Sequence, residues 1–365
     1  MTLVHPPIKR QRAQGSGGLA GLRGASRSDR TAALLTRALA PVRKDLEAVT
    51  DRILSQLADP IARAVVYLIT AGGKRLRPAL VLLAGAAGRA PNHAALIDTA
   101  TAVELIHTAT LIHDDIIDQS PLRRAQPTFH QRWGTERAVL MGDYLYATSF
   151  TLLARLRSPY VMRVMADVCQ ELCRGELCEV EARYRLDLTE EEYLQIITDK
   201  TASLIGGCCE SGAYLGGCSA DAVGRLKQFG IHFGLAFQII DDCLDLSGDQ
   251  RQLGKSVLTD LDKGVLSLPI IYLTQTLSVR ERDRLFAPLR QPASRYKGPA
   301  GARSLDPVFL GRVAKAARAS GAIAKAQARA EELLRSAREI MAGVPMNGLA
   351  GTYEQLTEYA VIRRS

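Results

Sequence analysis

Aromatic residues make up only 5% of this 365-residue chain, with a single Trp, and no segment alternates apolar and polar residues with the period of two that a half-buried strand requires. An all-β sandwich or barrel is thereby excluded. An uninterrupted apolar run of about 18 residues is also missing, so no transmembrane span is expected, and the first thirty residues lack the apolar core of a signal peptide. Cysteine is present seven times, without a CxxC pair. An odd count in helix-patterned segments favours reduced core thiols and a reducing compartment. A metal cluster built on Cys169, Cys173 and Cys178 would want a fourth ligand, and neither a His nor another Cys stands at ligand spacing.

The formal charge of +9 is unevenly spread. Residues 1–30 hold Lys9, Arg10, Arg12, Arg23, Arg27 and Arg30 against Asp29 alone, so the remainder is nearly balanced and a nucleic-acid partner is not indicated. We read residues 1–32 as a disordered basic tail and residues 33–365 as one domain without an internal boundary. The protein is then expected in the cytoplasm. The shortage of acids in the tail also fits a mitochondrial or plastid transit peptide.

What the chain has in plenty is helix-forming sequence. Apolar residues reach 47%, and periodic runs at 94–117, 137–156, 160–183, 190–216 and 221–246, punctuated by Gly and Pro, predict an all-α bundle. A Pro-, Gly- and Arg-rich stretch near 288–306 reads as a surface loop.

Two of these oily helices carry the same acidic pentad. LIHDDIID holds Asp114, Asp115 and Asp118; FQIIDDCLD holds Asp241, Asp242 and Asp245. Residues i and i+4 of a helix share a face, so Asp114 sits over Asp118 and Asp241 over Asp245. Like charges so stacked are unfavourable unless a cation holds them, and clustered carboxylates with room for water suit Mg2+. One DDxxD alone also fits a solvated helix face. Two copies among Leu111, Ile112, Ile116 and Ile117, and among Phe237, Ile239, Ile240 and Leu244, fit a cleft between helices better.

Mg2+ implies phosphate, and AGGKRLRP at 71–78 answers it. Its glycines permit close backbone approach, while Lys74, Arg75 and Arg77 offer an ammonium and two guanidinium forks to a polyanion. Arg123 and Arg124 follow the first pentad. His107 lies seven residues before Asp114, two turns up on the same face, where a satisfied buried histidine is the competing reading; His113 is read as structural.

GGKRLRP, ELIHTATLIHDDIID with LRR following, MGDYLYA from Met141, DKTASL from Asp199, GLAFQIIDDCLDLSGD from Gly234 and LGKSVLTDLDKG from Leu253 occur in this order. From about residue 35 to its end the chain resembles the trans-isoprenyl diphosphate synthases of the polyprenyl type. The resemblance implies an all-α isoprenoid-synthase bundle whose central cavity is flanked by the two DDxxD helices. It implies a Mg2+-dependent prenyltransferase that condenses isopentenyl diphosphate head-to-tail with an allylic diphosphate, and a homodimer. Lys74, Arg77, His107 and Arg124 would bind isopentenyl diphosphate. Arg123, Lys200 and Lys255 would hold the allylic diphosphate. Asp114, Asp118 and Asp241 would ligate the metal, with Asp115, Asp242 and Asp245 acting through water or behind them, and Lys200, Thr201 and Gln238 would present dipoles to the allylic cation.

Short-chain members of this family tend to place an aromatic floor just ahead of the first pentad, where this chain has Ala109 and Thr110. Each isoprene adds roughly 5 Å, close to one helical turn, so an open wall past Ile106 admits more units; Phe150 and Tyr146 on the next helix would supply the stop. A long-chain product of the quinone side-chain kind follows, against the alternatives of a farnesyl or geranylgeranyl synthase and of small residues that serve only helix packing. Peripheral membrane contact would serve release of such a product. Ala125, Pro121 and Glu179 depart from the family pattern, Glu179 standing where Gln is common. A terpene cyclase would lack GGKRLRP and the second aspartate pentad, and a non-catalytic subunit of a heteromeric synthase tends to lose the pentads that are complete here.

Overall fold

The computed structural model describes residues 27–57, 62–70, 73–124, 126–247, 258–290 and 305–362. Most of the tail read from sequence, Lys255, and most of the 288–306 loop lie outside them. The first helix, α1 (Arg27–Leu39), begins inside the residues assigned to the tail: Asp29 in its first turn and the Ala32, Ala33, Leu34, Leu35 run favour helix, and it packs on the last helix of the chain.

Next come α2 (Arg43–Gln56), α3 (Val66–Thr70), α4 (Leu76–Ala86) and α5 (His93–Ile117). The Asn92 side chain accepts a hydrogen bond from Ala95 N at 3.2 Å and so starts α5. At 25 residues α5 spans about 37 Å. Among the described residues it alone is long and apolar enough on average to cross a membrane, although Asp98, Glu104 and His107 interrupt its apolar run, and 67% of that window is buried inside the bundle. It is a core helix, and it delivers the first pentad at its C-terminal end.

A two-residue-per-strand hairpin follows, β1 (Leu122–Arg123) paired antiparallel with β2 (Gln126–Pro127) in the register Arg123 to Gln126. It is the only strand pairing among the described residues, and too short for a period-two pattern to reveal. Then α6 (Phe129–Trp133) leads to α7 (Thr135–Arg155), which packs along α5.

Ser158 caps α8 (Pro159–Ala182), and Thr189 with Glu192 forms a capping box on α9 (Glu190–Ile197). The run expected as one helix at 190–216 is interrupted: a π turn at Thr198–Ala202 separates α9 from α10 (Ser203–Leu215). Such widened turns are frequent at functional sites, and this one carries Lys200 and Thr201.

The second pentad lies near the end of α11 (Ala220–Ser247). The remainder is α12 (Thr259–Asp262), α13 (Leu268–Thr276), α14 (Val279–Leu285), α15 (Pro307–Ala319), α16 (Ala322–Met341) and α17 (Ala350–Ile362). α10 packs against α4, α8 and α11, and α11 in turn against α16, so α5, α10 and α11 form the centre with the other helices around them. Phe229, Phe233, Phe286 and Phe309 are fully buried there, each contributing about 2–3 kcal/mol by burial.

Candidate active site

Three carboxylates at the C-terminal end of α5 face the unfavourable end of the helix dipole, and cations from three other segments meet them. Asp115 is 2% exposed and accepts from Arg123 of β1, Nε at 2.9 Å to both oxygens and Nη2 at 2.8 Å. Asp118 accepts from Arg183 Nη2 at 2.8 Å on Oδ1 and from Lys263 Nζ at 2.9 Å on Oδ2. Burial, reinforced by Glu176, raises the Asp114 carboxyl to about 7 despite Lys200 and Arg123.

Across from it, Asp242 of α11 is buried and accepts from Tyr193 Oη at 2.7 Å and Gln238 Nε2 at 2.8 Å. Burial, and then Asp260, push its carboxyl well up. Asp245 accepts from the Thr259 hydroxyl at 3.1 Å and from backbone N–H groups of Thr259 and Asp260, which fixes the start of α12. The Thr201 hydroxyl donates to Gln238 Oε1 at 3.1 Å, so the amide of Gln238 is oriented at both ends.

Lys200 bridges Glu176, at 2.8 Å, and Glu179. Burial opposes its charge, but the two carboxylates outweigh it and raise the ammonium above its usual range. Gly175 makes this possible, because a Cβ there would stand 2.5 Å from Lys200 N and push α8 off the π turn. Asp118, Glu179, Lys200, Gln238, Asp242 and Lys263 line one cavity between the two pentad helices.

The basic loop divides its residues. Arg75 adopts a left-handed backbone (φ 48) and turns inward, Nη1 donating to Glu104 Oε1 at 2.8 Å and Nη2 to Ile69 O at 2.9 Å. Its expected role toward a polyanion is therefore corrected to a structural one. Arg77 instead points at His107, Nη1 to Nε2 at 3.1 Å. Burial and then Arg77 push the imidazole well below its usual value, so it is neutral and accepts at Nε2. Arg124, also left-handed (φ 52), lays its guanidinium over Gly73, where a Cβ would meet Nη1 at 3.2 Å. Lys74 Nζ sits 5.5 Å from the Tyr359 ring centroid and 5.9 Å from that of Phe237.

Arg123, expected on the allylic diphosphate, is engaged by Asp115 through Nε and Nη2. Ala109 and Ile106 are fully buried. Thr110 is half-buried with its hydroxyl on His107 O at 2.8 Å, and Phe150 is half-buried. His113, read as structural, contacts Val139 O at 3.1 Å. The expectation of core thiols holds for Cys208, Cys209 and Cys243, whereas Cys173 and Cys178 are exposed; none of the seven is in a disulfide.

Sequence reasoning missed Glu104, Glu176, Arg183, Tyr193, Asp260 and Lys263. Glu104, at the head of ELIHTATLIHDDIID, and Asp260 and Lys263, inside TDLDKG, carried a signal. Among the described residues no three His, Cys, Asp or Glu converge closely enough to hold a metal as they stand. The acidic groups facing the cavity, Asp118, Glu179, Asp242 and Asp260, nevertheless offer hard carboxylate oxygens. They fit a divalent cation of the Mg2+ type once pentad side chains turn toward it.

A model of the polyprenyl synthetase family matches residues 58–297, a span holding both pentads, the basic loop and the π turn. The chain belongs to the polyprenyl synthetase family. By that membership it is a prenyltransferase, as its motifs implied. The heptaprenyl diphosphate synthase component 2 of Geobacillus stearothermophilus is 35% identical over 321 residues, covering 88% of this chain and 94% of that one. A short chain isoprenyl diphosphate synthase of Methanothermobacter thermautotrophicus is 39% identical over 255 residues, 67% of this chain and 78% of its own. The polyprenyl synthase of Caulobacter crescentus, solved in complex with calcium and isoprenyl diphosphate, shares the fold with a TM-score of 0.82 at 30% identity, over 91% of this chain and 98% of that one.

Proposed function

We propose that this prenyltransferase uses Mg2+ to condense isopentenyl diphosphate with an allylic prenyl diphosphate and builds a long all-trans chain of the kind that forms quinone tails. The supporting observation is the pair of carboxylate helices opposed across one cavity, with a separate basic cluster of Lys74, Arg77, His107 and Arg124 beside it.

Asp114, Asp118 and Asp241 would hold the metal. When bound, Mg2+ neutralises the charge that develops on the departing pyrophosphate. Lys200 adds a fixed ammonium at the same end of the cavity, held by Glu176 and Glu179, and Arg123 keeps Asp115 from competing for it. Lys255 would join them on the allylic diphosphate. Arg77 and Arg124 grip the diphosphate of the second substrate, and neutral His107 holds the Arg77 fork in place. The oriented Gln238 and Thr201 oxygens present negative ends of dipoles to the allylic cation, and the apolar flanks of both helices keep water from it. The pyrophosphate then takes the proton lost from the condensed product.

A half-buried Thr110 and a buried Ala109, both small, support an elongation path along α5 toward Phe150. Leu140 on α7 and Leu177 on α8, 67% and 65% exposed, are large apolar side chains left uncovered and support a homodimer. A cytoplasmic enzyme with peripheral membrane contact for product release is consistent with this layout.

The test is a product assay with purified protein, Mg2+, labelled isopentenyl diphosphate and farnesyl or geranylgeranyl diphosphate, sizing the dephosphorylated alcohols by reversed-phase chromatography. Long prenyl alcohols are expected. A product that stops at geranylgeranyl length refutes the chain-length reading, and no product with any starter refutes catalysis by this chain alone.

A further inference from the structure

Asp118 differs from Asp115, Asp242 and Asp245 in how it is held. Asp115 is fixed by one guanidinium, Asp242 by neutral donors and Asp245 by a hydroxyl and backbone N–H groups, whereas Asp118 has a separate cation on each oxygen, Arg183 at 2.8 Å and Lys263 at 2.9 Å.

The two cations form one built unit. Arg183 ends α8 and Lys263 ends α12, far apart in sequence, and the neighbouring residues zip these ends together: Tyr184 N donates to Gly264 O at 2.7 Å. Both backbones are left-handed there (φ 65 and 85), and the Tyr184 ring lies so close over Gly264 that a Cβ would stand 2.4 Å from it. The pair is only partly exposed, at 20% and 29% of the side chains against 17% for Asp118. Arg183 Nε is enclosed and makes no hydrogen bond, so this guanidinium has donor capacity that Asp118 does not use.

We propose that Arg183 and Lys263 are internal counter-ions of Asp118 that a divalent cation displaces, so that metal enters by exchange and the two released cations turn to the diphosphate that arrives with it. The proposal rests on the reading that Asp118 binds metal. A carboxylate oxygen that accepts an ammonium or guanidinium at under 3 Å cannot present the same lone pair to a metal at full strength, so the pair competes with metal alone. With diphosphate present the same two charges become attractive partners for the anion, and their effect changes sign.

The experiment is a Mn2+ titration of the whole protein, by the loss of free-ion electron paramagnetic resonance signal, with and without inorganic pyrophosphate. Lys263→Gln and Arg183→Gln are each expected to tighten Mn2+ binding on the order of tenfold without pyrophosphate and to weaken it by a similar factor with it. Lys263→Arg, which keeps the charge, is expected to bind Mn2+ as the unmodified protein does. Thermal unfolding checks each variant, and Lys263, at the end of the short α12, carries the test if Arg183→Gln does not fold. Weaker or unchanged Mn2+ binding in the Gln variants overturns the proposal, since deleting a residue that merely orients a metal ligand lowers affinity. Asp118→Asn in the same titration separates the two readings. If it weakens Mn2+ binding while the Gln variants fail to tighten it, counter-ion exchange is wrong and the metal role of Asp118 stands; if it changes nothing, both fall.

Discussion

Replacing Arg77 with Met should leave the fold as stable as before or slightly more so, and cripple the use of isopentenyl diphosphate. The guanidinium has one contact, Nη1 to His107 Nε2 at 3.1 Å, and its Nε is enclosed without a hydrogen-bond partner. The nearby carboxylate of Glu104 is bonded to Arg75 instead, and burial lowers the Arg77 pKa from its ordinary value. A charge held this way has no carboxylate bonded to it, only the through-space pull of Glu104, Asp241 and Asp114, and gains a direct partner when an anion arrives. Exchanging it for an apolar side chain of similar length removes a desolvation cost of about several kcal/mol per ion, offset by the donor that His107 loses and the attraction that Glu104 loses, for a net gain between zero and about 1 kcal/mol. In a protein of this size that raises the melting temperature by no more than about 1–2 °C. The bound state, by contrast, loses charge-assisted hydrogen bonds to a diphosphate worth about 3 kcal/mol, or roughly a hundredfold in KM for isopentenyl diphosphate. Steady-state kinetics with the allylic substrate saturating, and a thermal melt in the same buffer, measure both. A melting temperature several degrees lower with an unchanged KM would refute the reasoning and make Arg77 a structural cation like Arg75.

Thr110→Phe places a ring one turn ahead of Asp114, at the half-buried face of α5, and should end elongation within about one or two condensations of the starter; an unchanged product length by chromatography would put the elongation path elsewhere. The buried carboxyls Asp114 and Asp260, both raised to about 7, make stability pH-dependent. Each keeps its proton in the folded state up to about pH 7 and releases it in the unfolded state near the ordinary value of 3.8. Stability with chelator present should therefore fall as pH rises through this window, by at most about 4 kcal/mol for Asp114. Urea unfolding at pH 5 and pH 8 should show a smaller gap in Asp114→Asn than in the unmodified protein, and an equal gap would contradict the raised Asp114.

The sequence by itself determined the fold class, the helices that matter and the sign of each functional patch. Helical periodicity and i, i+4 stacking are local properties, so the expected runs at 94–117, 137–156, 160–183 and 221–246 match α5, α7, α8 and α11 within two residues. The six ordered motifs gave the family for the same reason. Pairings between distant segments were not legible. Nothing local distinguishes Arg75 from Arg77; the left-handed turn at Arg75 sends one to Glu104 and leaves the other facing His107. Asp115, Asp118 and Asp242 look equivalent in the pentads, yet one meets Arg123, one meets two cations from the ends of α8 and α12, and one meets Tyr193. Only the tertiary structure decided these partners, because each pair joins residues from 8 to 145 positions apart, and the energy of a charge depends on what the fold places within a few ångströms of it.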